Sequence, residues 1–152
     1  MDFSEIGRRG LVLLGCGKMG SAMLAGWLKG GLDPAAVRVV EPHPSEWLKA
    51  SGVHLDGGLP GRPAICLIAV KPQMMAEALP QLAGLGGGGT LFVSIAAGTT
   101  IAFYERALGQ GTPLVRAMPN TPAAIGRGIT AICGNAAATS ADLDAAEGLL
   151  SA

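Results

Sequence analysis

The sequence predicts an α/β fold: a doubly wound, mostly parallel sheet with helices on both faces. Three observations predict it. Short, continuously apolar runs such as Leu11-Val12-Leu13-Leu14 read as strands buried on both sides. They alternate along the chain with stretches whose apolar residues recur at helical spacing. A glycine cluster, Gly15-Cys16-Gly17-Lys18-Met19-Gly20, stands where the first strand meets the first helix.

The elements follow in order. Residues 11–14 form the first strand and end at glycine. Residues 18–29 form a helix, because Met19, Met23, Leu24, Trp27 and Leu28 share a face and Gly30-Gly31 stops it. Residues 37–40 are the second strand, closed by Glu41-Pro42-His43-Pro44, where two prolines forbid a regular ladder. Residues 45–50 make a short helix with Ser45 as N-cap. Residues 65–70 are the third strand, stopped by Lys71-Pro72, and residues 73–82 a helix despite Pro80. The glycine run from Gly84 to Gly89 reads as a flexible connection. Residues 91–96 are the fourth strand and 101–108 a helix. Residues 114–118 are the fifth strand, ended by Pro119-Asn120-Thr121-Pro122, and 128–133 the sixth. Ser140 caps a last helix with Asp142 and Asp144 in its positive first turn.

Composition narrows the function. A chain of 152 residues suits one domain, and 49% hydrophobic with 14% charged residues excludes a disordered polyelectrolyte. Eleven basic residues balance 11 acidic ones. That balance lacks the electrostatic footprint of a nucleic-acid or acidic-membrane binder. No apolar stretch is long enough for a membrane span, Met1-Asp2-Phe3-Ser4-Glu5 lacks a basic leader region and Leu11 to Leu14 is too short for a signal core, so a reducing, cytoplasmic setting is expected. Cys16, Cys66 and Cys133 have neither disulfide nor metal-ligand spacing, and each reads as a small core hydrophobe. No metal is expected. His43 and His54 read as loop residues, and Trp27 and Trp47 as core or domain contacts.

The glycine cluster fits G-x-G-x-x-G, but so does Gly84-Leu85-Gly86-Gly87-Gly88-Gly89, and glycine is 24 of the 152 residues. Context separates the two. The first follows a strand and opens an amphipathic helix, which places free backbone N–H groups and a positive helix end where a pyrophosphate can sit. Gly15 allows the tight turn, Gly17 lets phosphate approach, and Gly20 lets helix and strand pack closely. The second opens no helix. Glu41, about 20 residues beyond Gly20, stands where an acidic side chain accepts from a ribose 2′-hydroxyl, favouring NAD over NADP. Its other reading is a solvated loop charge.

Two further segments end strands: Ala69-Val70-Lys71-Pro72-Gln73 and Arg116-Ala117-Met118-Pro119-Asn120-Thr121-Pro122. With Val93-Ser94-Ile95-Ala96-Ala97-Gly98-Thr99-Thr100 between them, the chain resembles pyrroline-5-carboxylate reductase over nearly its whole length. That family has a Rossmann-type coenzyme domain and reduces a cyclic imine, 1-pyrroline-5-carboxylate, to L-proline with NADPH or NADH.

The resemblance implies that Gly15, Cys16, Gly17, Lys18, Met19 and Gly20 form the pyrophosphate loop. It implies that Glu41, His43 and Ser45 meet the adenosine ribose, and that Ala69, Val70, Lys71 and Pro72 run beside the nicotinamide ribose. Ala97 and Gly98 would line the nicotinamide side, and Met118, Asn120 and Thr121 would face the nicotinamide and the substrate pocket. Lys71 also reads as a surface lysine, and Asn120 as serving only its turn. Lys18 stands where the family often has Asn, Gly20 where it has Ala, and Glu41 where NADPH users carry small polar residues. The cofactor is therefore NADP or NAD.

The resemblance further implies a second, all-helical domain that makes a homodimer or larger assembly and completes the substrate site with a Ser-Gly-Ser-Gly-Pro-Ala-Tyr-like segment. No such segment occurs here. Residues 1–152 are thus expected to be the dinucleotide-binding domain, truncated before that helical domain and inactive alone. The alternatives are a stand-alone, non-catalytic NAD(P)-binding module, or a domain of a related imine or hydroxyacid reductase.

Overall fold

The computed structural model describes residues 3–55, 59, 61–96, 98–119 and 130–151. The chain runs α1 (Ser4–Arg9), β1 (Leu11–Leu14), α2 (Lys18–Lys29), β2 (Val37–Val40), α3 (Glu46–Ala50), β3 (Ile65–Ile68), α4 (Met75–Ala78), β4 (Leu91–Ser94), α5 (Ile101–Leu108), β5 (Leu114–Pro119), β6 (Thr130–Gly134) and α6 (Ser140–Ser151). The described strands form one six-stranded sheet in the order β2-β1-β3-β4-β5-β6. The first five are parallel, and β6 runs antiparallel to β5. The carboxyl ends of β1 to β5 therefore share one edge. The chain leaves β1 toward β2 on one side and returns to β3 on the other, a topological switch point between β1 and β3.

Both faces of the sheet are covered, which is why the central strands β1 and β3 are apolar throughout. On one face Leu11, Leu13, Val39, Leu67 and Val93 pack with Leu24 and Trp27 of α2 and Ala146 and Leu149 of α6. On the other, Val12, Leu14, Cys66, Ile68 and Phe92 pack with Met75, Leu79, Leu82, Tyr104 and Leu108. The Trp27 indole N–H donates to the Leu149 carbonyl at 2.8 Å, a buried bond between the two helices of the first face. The fold class expected from sequence is the fold observed.

Several elements differ from expectation, each for a physical reason. The helix expected over 73–82 is broken into a 3-10 turn (Pro72–Met74), the single turn α4, and a 3-10 stretch (Leu79–Leu85). Pro80 has no N–H, and its ring would meet the carbonyl four residues back, so an i to i+3 pattern takes over. Met75, Leu79 and Leu82 are still buried. The N-cap of α6 is Thr139, not Ser140: its hydroxyl accepts from the Asp142 N–H at 3.1 Å while Asp142 accepts from the Thr139 N–H at 2.9 Å. The strand expected over 65–70 stops at Ile68, that over 91–96 stops at Ser94, and α1 has no counterpart in the sequence reading. From the end of α1, the Arg9 guanidinium donates to the carbonyls of Arg62 (3.1 Å), Pro63 (3.3 Å) and Gly89. Trp47 is 44% exposed rather than core. Cys16 and Cys66 are buried as expected, but Cys133 is exposed on β6.

The glycine run from Gly84 is not a slack connection either. A Cβ on Gly86 would overlap the Leu108 carbonyl oxygen at the end of α5. The Gly87 N–H donates to the Thr112 hydroxyl at 2.9 Å, and that buried hydroxyl donates in turn to the same Leu108 carbonyl at 2.8 Å. Gly87 and Gly88 hold φ of +102° and +124°, where L side chains are strained. The run thus seats one crossover against the next helix.

Gly86→Ala is therefore expected to cost about 3 kcal/mol of unfolding free energy through forced backbone movement. Gly84→Ala, with nothing within 4 Å of its Cβ position, should stay within about 0.5 kcal/mol of the parent. Urea denaturation of the two variants checks this; equal stabilities would refute the packing described.

Candidate functional site

The site is built from loops that leave the carboxyl ends of β1, β2 and β3. Gly15 turns the chain out of β1 with φ +85°, and its N–H donates to the Val40 carbonyl of β2 at 2.8 Å. A Cβ there would lie 2.7 Å from Val70 Cγ1 and 3.0 Å from the Val70 nitrogen. Glycine is required twice over, by dihedral and by space. Gly20, inside α2, would bring a Cβ to 3.1 Å from the Gly15 carbonyl and 3.5 Å from Ala69 Cβ. This is the close helix–strand packing that the motif predicts.

Gly17 is different. It is the N-cap of α2, and a Cβ added to it would meet nothing within 4 Å. Its face is open to a ligand. No side chain caps α2, and no acidic residue lies in its first turn. The positive helix end and its backbone donors therefore face outward over Gly17, the chemistry a phosphate needs. Lys18, exposed at the first helical position, adds positive charge beside them.

Glu41 closes this loop from β2. Its Oε1 accepts from the Cys16 N–H at 2.8 Å, and its Oε2 from the His43 N–H at 3.1 Å. The half-buried carboxylate is thus tied to both loops. Each oxygen keeps lone-pair capacity for a further donor. Ser21, which sequence reasoning missed, completes the latch: its hydroxyl donates to the Cys16 carbonyl at 3.2 Å and lies 3.4 Å from Cys16 Sγ. Burial pushes the Cys16 thiol above its ordinary pKa; the Ser21 hydrogen bond lowers it, and the Glu41 charge raises it further.

The remaining expected residues divide clearly. His43 and Ser45 lie exposed on the turn after β2, where Ser45 Oγ caps α3 by accepting from the Leu48 N–H at 3.1 Å. Ala69 and Val70 abut Gly15, and Lys71 and Pro72 follow them exposed on the same edge. Gly98 is exposed with φ +74° after β4, and Met118 is 59% exposed on β5. Met19 opens α2, half-buried. Ala97, Asn120 and Thr121 lie outside the described residues.

A cavity of about 330 Å³ sits beside the end of β2, lined by Arg38, Val40, Glu41, Pro42, Leu55 and Leu59 among others. A wider one, about 460 Å³, opens at the opposite edge, where Ile65 and Leu91 begin their strands, and touches none of these residues. Among the described residues, no group of three or more His, Cys, Asp or Glu side chains gathers to hold a metal ion, and no helix is long and apolar enough to cross a membrane.

Comparison with known proteins agrees with this geometry. A family model described as NADP oxidoreductase, coenzyme F420-dependent, matches residues 10–98. The chain is 35% identical over 139 residues to the pyrroline-5-carboxylate reductase of Escherichia coli (strain K12), covering 85% of this chain and 51% of that protein. It is 36% identical over 146 residues to the pyrroline-5-carboxylate reductase of Methanosarcina acetivorans, covering 91% and 54% respectively. Among solved structures, it is similar to a pyrroline-5-carboxylate reductase from Coxiella burnetii, with a TM-score of 0.82, 25% identity, and 94% and 56% coverage. The chain spans about half the length of the curated relatives it matches.

Gly15→Ala is expected to cost about 3 kcal/mol, from the strained dihedral and the overlap with Val70. Gly17→Ala should leave stability within about 0.5 kcal/mol. Thermal melts of both variants decide whether the two glycines serve turn and ligand separately. A second expectation concerns the thiols. Raised pKa values leave less thiolate on Cys16 and Cys66 at pH 8, so iodoacetamide should modify exposed Cys133 at least about tenfold faster than either. Peptide mass mapping against time reads the order, and faster labelling of Cys16 would contradict its burial.

Proposed function

The chain belongs to the family described as NADP oxidoreductase, coenzyme F420-dependent, and on that premise we propose that it is the coenzyme-binding half of a pyrroline-5-carboxylate reductase. The observation that carries the reading is the open, uncapped helix start over Gly17, held at the switch point by Gly15 and Gly20. The similarity to reductases of that name supports the substrate, a cyclic imine reduced to L-proline.

In this reading, the loop from Gly15 to Met19 holds the pyrophosphate: Gly15 and Cys16, whose N–H groups are taken by Val40 and Glu41, shape the turn, Gly17, Lys18 and Met19 present backbone N–H groups, and Lys18 adds charge. Glu41 accepts from the adenosine ribose, with His43 and Ser45 as donors beside it and the cavity next to Pro42 taking the adenosine end. Ala69, Val70, Lys71 and Pro72 run along the nicotinamide ribose. Ala97 and Gly98 form one wall of the nicotinamide site, and Met118, Asn120 and Thr121 face the substrate. A bound nicotinamide supplies the hydride. The protein's part is placement and exclusion of water. A cyclic imine is basic enough to take its proton from a hydroxyl or water, so the chain needs no acid–base pair of its own. The complete enzyme is proposed as a homodimer or larger assembly in a reducing, cytoplasmic setting, which the unpaired state of Cys16, Cys66 and Cys133 supports.

The purified chain is expected to bind NADH and NADPH, read by the fluorescence of the reduced nicotinamide. No binding of either at millimolar concentration would end the proposal. Because the fixed Glu41 charge opposes a 2′-phosphate, NADH should bind more tightly. Glu41→Gln should shift the NADPH-to-NADH affinity ratio toward NADPH by about tenfold. An unchanged ratio would remove Glu41 from coenzyme choice.

A further inference from the structure

Beneath the loop that follows β4 lies a buried polar cluster that the site described so far does not use. Tyr104, in the first turns of α5, is fully buried, and its hydroxyl pairs with the Ser94 hydroxyl at the last residue of β4. Ser94 Oγ also accepts from the Ala96 N–H at 3.2 Å. Burial pushes the phenol's pKa up, and Ser94, the buried Thr99 and the Arg116 charge each counter part of that rise. Ser94 precedes the loop and also holds its Ala96 N–H, so the phenol acts on the loop through Ser94. In the same loop stands Gly98, with φ +74° and nothing within 4 Å of its Cβ position.

The arrangement costs the core something. A hydroxyl on the face formed by Ile68, Phe92 and Leu108 requires partners that an apolar side chain would not. The partner is Ser94, which ends β4 and itself holds the β4–α5 loop at Ala96. The helix start is fixed independently, by Thr100 Oγ1 accepting from the Phe103 N–H at 3.1 Å. The phenol is therefore not needed to begin α5. What it holds is the loop.

We propose that Tyr104 is a positioning residue that sets the height of the loop at Gly98, beside the nicotinamide, through Ser94 and without touching the coenzyme. This rests on the coenzyme reading above and adds to it a residue away from the loop surfaces. It makes a distinction that a general packing role does not. Only ligands carrying a nicotinamide should feel the loss of the hydroxyl, because the pyrophosphate and adenosine ends bind on other loops.

The test uses the whole chain and two probes, NADH and ADP-ribose, with Tyr104→Phe, Ser94→Ala and the double variant. Tyr104→Phe keeps the ring and removes only the hydroxyl. The expected result is NADH affinity weakened about fivefold in each single variant and little further in the double, with ADP-ribose affinity unchanged within about twofold. The emission of bound NADH should fall in parallel as its ring becomes more exposed to water. Equal losses for both probes, or unchanged NADH affinity and emission, would overturn the positioning role. Parent protein that binds neither probe would instead overturn the coenzyme reading, and the proposal with it.

Discussion

Gly15 holds φ +85° with its N–H on the Val40 carbonyl, while Val70 and Ala69 crowd the direction in which a Cβ would point. This one contact joins three loops. It lets the end of β1 lie directly against the end of β3, where Ala69 donates its N–H to the Leu14 carbonyl at 2.8 Å. It also sets where α2 begins. Gly20 then closes the seam from the helix side, against the Gly15 carbonyl itself. A methyl group at Gly15 would push β3, the turn and the helix start apart together. The open face at Gly17 exists because its two neighbouring glycines are packed shut.

Loops at the end of a parallel sheet have lost their ladder partners, and their N–H groups need acceptors. Here short side chains provide them. Glu41 serves Cys16 and His43, Ser45 serves Leu48, Ser94 serves Ala96, and Thr100 serves Phe103. Each bond also fixes a loop that faces the same edge. Satisfying these backbone groups and ordering the described part of the edge proposed to bind the coenzyme are one arrangement.

Local signals carried most of the fold into the sequence. The apolar runs at Leu11, Val37, Ile65, Leu91 and Leu114 each begin a strand, and the motif around Gly15 opens a helix as its spacing requires. What stayed hidden depends on contacts between distant residues. Nothing near Gly86 announces that the Leu108 carbonyl will press on it, so a run of glycines looks like slack. Ser94 reads as an ordinary strand end until Tyr104 is folded over it. Thr139 and Ser140 are both good caps, and only the reciprocal bond with Asp142 selects the first. Cys133 looks apolar in its run, but β6 pairs through its backbone with β5 while this side chain meets solvent. In the candidate site, the glycines were legible because each answers to a local dihedral or spacing. The anchoring of Glu41 was not, because it requires β1 and β2 to lie side by side.

In the proposed reading, that anchoring constrains the coenzyme as well as the loop. A carboxylate offers about four lone-pair directions, and two are taken by the Cys16 and His43 N–H groups. The rest can accept from hydroxyls, which is what a ribose presents. A phosphate in the same place presents only acceptors and negative charge, to a carboxylate that cannot swing away without stranding the Cys16 N–H. Lys18 stands at the helix start, on the loop proposed to hold the pyrophosphate. The proposed preference for NADH is therefore tied to the integrity of the glycine loop. A residue that welcomed a 2′-phosphate at position 41 would also need to supply an acceptor for the Cys16 N–H. An amide does this through its carbonyl oxygen, and a small aliphatic side chain does not.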